Sequence, residues 1–137
     1  MKYTSILLLM ILFLHCSPTV SKIELTPEMP ILTSDDYFDP PYKAGWQHLQ
    51  DGNAQLAMES FQKSTIEDDK LFIGYGFVFI LKKQFKLAMD NFDKSLKINQ
   101  DNLFAKIGKG IVFELTDNSR SAFDIYSSIL LSHPEHP

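Results

Sequence analysis

Ile73-Gly74-Tyr75-Gly76-Phe77-Val78-Phe79-Ile80-Leu81 returns as Ile107-Gly108-Lys109-Gly110-Ile111-Val112-Phe113-Glu114-Leu115, with six of nine positions identical and every position at an offset of 34 (107 − 73 = 34). The same offset pairs Ala88 with Ala122, Asp90 with Asp124, Phe92 with Tyr126 and Leu96 with Leu130. A fixed period of this length marks an array of helical repeats, each unable to bury its own apolar face alone.

An earlier copy precedes these two. Leu56-Ala57-Met58-Glu59-Ser60-Phe61-Gln62-Lys63-Ser64 matches Leu87-Ala88-Met89-Asp90-Asn91-Phe92-Asp93-Lys94-Ser95 at an offset of 31. The chain therefore holds three copies, over about 42–67, 68–101 and 102–134, with a shortened first junction. Apolar residues recur at helical spacing, as in Ala88, Phe92, Leu96 and Ile98. They predict two helices per copy: 42–50 and 54–66, 70–82 and 85–98, 102–115 and 119–132. Asp51-Gly52-Asn53, Asn99-Gln100-Asp101-Asn102 and Thr116-Asp117-Asn118-Ser119 supply helix stops and N-caps. The Lys82-Lys83-Gln84 turn has no glycine to mark it.

The pattern resembles the tetratricopeptide repeat, a helix–turn–helix unit of the same period. The family's small residue in the first helix matches Gly45, Gly76 and Gly110, and its next aromatic matches Phe79 and Phe113, with His48 in the first copy. The second-helix alanine matches Ala57, Ala88 and Ala122, and its aromatic matches Phe61, Phe92 and Tyr126. The closing proline is matched by Pro134 alone. The resemblance covers about residues 40–134 and implies an all-α fold, a short right-handed superhelical array of three helix–turn–helix repeats. It also implies that the first helices line a concave groove: Tyr42, Trp46 and Leu49, then Ile73, Phe77 and Ile80, then Phe104, Ile107 and Ile111. Lys43, Lys70 and Glu114 lie near that groove. The family's carboxylate clamp for acidic chaperone tails is not matched, because its positions hold Tyr42, Trp46, Gly74, Phe104 and Gly108.

Glycine inside a helix costs about 1 kcal/mol relative to alanine. Gly74, Gly76, Gly108 and Gly110 are thus expected to allow close helix approach. Three repeats are about the least that form a stable stack. With no capping helix in the sequence after 132, the last helix is expected to leave apolar surface exposed or to meet a partner or a second copy.

Residues 23–69 carry ten acids against Lys43 and Lys63, a balance of −8, while residues 70–137 carry nine bases and seven acids. Phosphate binding needs a basic surface, so nucleic acid is not the expected ligand. The acidic half reads as a solvated face.

Lys2 followed by the apolar run from Ile6 to Leu14 has the layout of an export signal and is too short for an ordinary membrane span. Cys16, the one cysteine, follows directly, so the segment 1–16 resembles a bacterial lipobox with Cys16 as the lipidation site. Phe13 and His15 stand where that motif prefers leucine and a small residue. The alternatives are a plain secretory signal cut near Ser17 or Ser21, and an uncleaved anchor. Residues 17–41 read as a proline-containing tether. Its apolar residues, Ile23 to Phe38, suit an extended strap along the array, which could fill the groove.

No pattern for nucleophilic, metal-dependent or nucleotide chemistry stands out. Gly74-x-Gly76 reads as packing because it is repeated inside a helix, His48 as a partly buried packing residue, and His133 with Glu135 and His136 as a tail. No catalytic residue, metal or cofactor is expected. The chain reads as a non-catalytic scaffold at the cell envelope or outer membrane, or else secreted, that docks a protein or peptide in an apolar groove. The alternatives are an accessory or substrate-recognition subunit of an envelope enzyme complex, and a self-associating structural module such as a homodimer.

Overall fold

In the computed structural model, residues 39–132 are described. They form six α-helices and, within that range, no strand: α1 Pro40–Gln50, α2 Ala54–Lys63, α3 Asp69–Leu81, α4 Phe85–Ile98, α5 Leu103–Leu115 and α6 Ser119–Ser132. The fold is all-α. The signal-like segment with Cys16, the tether up to Phe38 and the final His133–Pro137 lie outside the described residues.

The helix boundaries follow from local chemistry. Asp39 is the N-cap of α1, with Pro40 and Pro41 in the first turn, where a missing N–H is no loss. Both prolines therefore belong to the helix and not to the tether. Asn53, Asp68 and Asn102 cap α2, α3 and α5, accepting from the amides of Leu56, Leu71 and Ala105. The second helix ends at Lys63, short of the expected end at 66. Its C-cap Ser64 is extended, because Asp39 captures the loop that follows. The Asp39 carboxylate accepts from Thr65 N at 2.9 Å, Ser64 Oγ at 3.0 Å and Thr65 Oγ1 at 3.2 Å.

Three turns share one device. Gly52 (φ 73), Lys83 (φ 56) and Asp117 (φ 58) all take the left-handed conformation. They occupy one repeat position, at the same offsets of 31 (83 − 52) and then 34 (117 − 83). The turn without glycine thus closes as the others do, with a lysine in a conformation that costs a Cβ-bearing residue energy.

Each helix packs on the next, and α3 also touches α1 and α5. The odd-numbered helices form one layer and the even-numbered helices the other. Aromatic rings from the second layer fill the space left by glycines in the first. Phe61 lies against both Gly45 and Gly74, Phe92 against both Gly76 and Gly108, and Tyr126 against Gly110. A Cβ at Gly74 would stand 2.6 Å from Phe61 Cζ, nearer than atoms can pack. The glycine pairs are packing residues, and each of the two phenylalanine rings ties its own helix pair to the next. Edge-on contacts extend the core, with Trp46 to Phe61 at 5.5 Å and Phe77 to Phe92 at 5.4 Å between ring centres.

Candidate functional site

The nine residues assigned to a groove divide into two groups. Tyr42, Trp46, Leu49, Ile73, Phe77 and Ile80 are buried in the main core cluster. They are not an open lining in this structure. The aromatic ones turn toward the second layer, as the Trp46–Phe61 and Phe77–Phe92 contacts show. The central helix α3 has neighbours on several sides and buries Leu71, Ile73, Phe77, Val78 and Ile80 together. A helix that is apolar all round is a buried helix. The uncharged run from Leu71 to Leu81 was the sequence signal for that burial.

Phe104, Ile107 and Ile111 remain half-buried. With Leu115, which is 45% exposed, they form one stripe along α5. Their spacing of three, four and four keeps them on a single helix face. Leu81, 42% exposed, occupies on α3 the repeat position of Leu115 and was absent from the expected groove. It ends a helix, where a buried-or-exposed assignment cannot be taken from periodicity alone.

Charge near the stripe is balanced. Lys109 Nζ donates to Asp93 Oδ1 at 2.6 Å, and Lys106 lies 3.6 Å from Asp101. Between α1 and the start of α3, the Tyr42 hydroxyl donates to Asp68 at 3.2 Å. Burial, with the Asp68 and Asp69 charges added, pushes the Tyr42 hydroxyl far above the ordinary tyrosine range. The Tyr126 hydroxyl is pushed up to about 12 by burial and the neighbouring Glu114. Both shifts favour the neutral phenol. Asp39 is held below the usual carboxylate range: burial acts to raise it, but the Thr65 and Tyr42 amides and the Ser64 and Thr65 hydroxyls outweigh that.

Among the described residues no cluster of three or more His, Cys, Asp or Glu could hold a metal ion. No described helix is long and apolar enough to cross a membrane. His48 is half-buried on α1. Cys16, His133, Glu135 and His136 lie outside the described residues. What this arrangement offers a ligand is an apolar strip on α5, flanked by the Lys109–Asp93 pair. Comparison with protein-family models, curated proteins and solved structures found no match.

Proposed function

We propose that this chain is a non-catalytic interaction scaffold of tetratricopeptide-like build, which docks an apolar peptide or protein segment on the α5 stripe. The observation that carries the reading is a contrast at two repeat positions. The residues equivalent to Ile107 and Ile111, namely Ile73 and Phe77 on α3 and Tyr42 and Trp46 on α1, are buried, while Ile107, Ile111 and the neighbouring Leu115 stay accessible on α5. Accessible apolar surface in a contiguous row is what a helix or extended segment needs for anchorage. The repeat offsets of 31 and 34 and the ring-between-glycines packing support the superhelical repeat reading. The lipobox-like Cys16 supports a lipid anchor at the cell envelope, with the docking face carried on a tether.

Site-specific photo-crosslinking in intact cells tests the docking. A crosslinker placed at Ile107 or Leu115 is expected to give one discrete adduct. The same group at Leu56, which is comparably exposed on α2, should give none. Ile111→Asp should abolish the adduct while leaving the helical circular dichroism unchanged. An adduct that survives Ile111→Asp would place docking elsewhere. Mass spectrometry of the mature N-terminus tests the anchor: a diacylglyceryl group on Cys16 is the expected result, and a mature chain beginning after Cys16 refutes it.

A further inference from the structure

The α6 helix carries a face whose counterpart on α4 is packed against the rest of the array. On α4, Phe92 and Asp93 touch α5 through Gly108 and Lys109. Met89 and Leu96 lie on that same face of α4, half-buried against the core. The equivalent α6 positions, one repeat later, are Phe123, Tyr126, Ser127 and Leu130. There Phe123 is 70% exposed and Leu130 55%, and the adjoining Leu131 is 85% exposed.

Setting the α1 of a second copy against this face does not repeat the ring-on-glycine contact of the stack. Gly74 receives Phe61 and Gly108 receives Phe92. One repeat before Gly74, the same position of α1 is Lys43, which is not a glycine. The face itself suits a different pairing. Ser127 sits at its centre, midway between Phe123 and Leu131, so a small side chain stands where two helices would cross. Arg120, the chain's one arginine, lies at the N-terminal end of the patch, exposed and without an ion pair among the described residues. At a helix N-terminus a cation is poorly placed, whereas beside a helix C-terminus it is favoured. An antiparallel neighbour puts it there.

We propose that α6 is a homodimer face, on which two copies pack α6 against α6 antiparallel, crossing at Ser127. Phe123 packs against the partner's Leu130 and Leu131, and Arg120 lies over the partner's last α6 carbonyls. The patch is small against the roughly 1,200 Å² that stable interfaces bury, so the dimer forms and dissociates with concentration.

The test uses the full chain with Cys16→Ser. Ser127→Cys brings two identical positions together at the crossing, and mild oxidation is expected to give a disulfide-linked dimer. Ser119→Cys is the control, because in this pairing its two copies are about 24 Å apart, beyond disulfide reach. Sedimentation equilibrium should show the unoxidised Cys16→Ser chain approaching twice the monomer mass at high micromolar concentration. Phe123→Glu should hold it at monomer mass, and Leu87→Glu, on an exposed site of α4, should not. Phe123 is mostly solvent-exposed, so unchanged circular dichroism is expected in that variant. A monomer at every concentration, equal crosslinking at Ser119, failure to crosslink at Ser127, or a dimer that survives Phe123→Glu would each overturn the proposal. A dimer of that last kind would point to the N-terminal apolar segment instead.

Discussion

The Asp39 carboxylate accepts the Thr65 amide at 2.9 Å and so fastens the start of α1 to the loop after α2. The same carboxylate caps α1 through the Tyr42 amide at 3.2 Å. One acid therefore begins one helix and holds the end of the next. The loop it captures, residues 64–68, lies in the shortened junction between the first and second repeats. Asp39 closes that irregular step.

Acid should loosen this clamp. The folded-state pKa of Asp39 is depressed, so the unfolded chain binds the proton more readily. Its stabilisation is present above the unfolded aspartate value, about 3.9, and is lost as pH falls through the folded value. Thermal unfolding of Asp39→Asn is expected to show a lower midpoint near neutrality and a weaker decline below pH 4 than the parent chain. Parallel curves for the two proteins would contradict this account.

Gly108→Ala is predicted to destabilise, although alanine is the better helix former by about 1 kcal/mol. The added methyl meets the Phe92 ring, which has Gly76 on its other side and cannot withdraw. Overpacking of this kind costs about 1–3 kcal/mol. Combining Gly108→Ala with Phe92→Leu should recover part of the loss relative to the sum of the single changes. Strict additivity in urea denaturation would show that the ring is not the obstacle.

Lys83→Gly is predicted to stabilise by about 0.5–1 kcal/mol, because glycine accepts a positive φ without steric cost. Gly52 already holds that conformation at the equivalent turn. A raised thermal midpoint is the expected result; a lowered one would mean that the lysine side chain makes a contact worth more than the strain.

Ser95 is fully buried and its hydroxyl has no hydrogen-bond partner among the described residues. A buried hydroxyl without a partner costs about 1–3 kcal/mol in lost hydration. Ser95→Ala removes that penalty and improves helix propensity, so it should raise stability. Ser95→Val tests the fit, since two added carbon branches in a packed site should reverse the gain.

Lys109 and Asp93 form a close ion pair, yet Asp93 is 45% exposed. Exposed pairs contribute about 0.2–1 kcal/mol. Lys109→Ala should therefore shift the denaturation midpoint only slightly at low salt, and the difference should shrink at high salt. A large, salt-insensitive loss would assign Lys109 a packing role instead.

Periodicity alone determined much of this protein. The repeat offsets of 31 and 34 located six helices close to their observed ends. They also marked Gly74, Gly76, Gly108 and Gly110 as packing glycines, because glycine recurring in step inside a helix points to close approach. Which ring meets which glycine was decided by the fold. Local caps such as Asn53 and Asn102 were equally plain, since a side chain that satisfies the third amide onward needs nothing from the rest of the fold. Burial was different. An apolar stripe says which side of a helix avoids water, and only the neighbours decide whether that side is covered. Tyr42, Trp46, Ile73 and Phe77 share their pattern with Ile107 and Ile111, yet the former are core and the latter half-exposed. Position in the stack accounts for Ile73 and Phe77, because the central α3 has companions on both flanks. On α1, at one end of the array, Tyr42 and Trp46 are instead covered by Phe61 and by each other. The left-handed Lys83 and the Asp39 clamp were likewise tertiary facts: each depends on where a chain segment distant in sequence, or the next helix, is held, and side-chain chemistry at those positions only permits the arrangement.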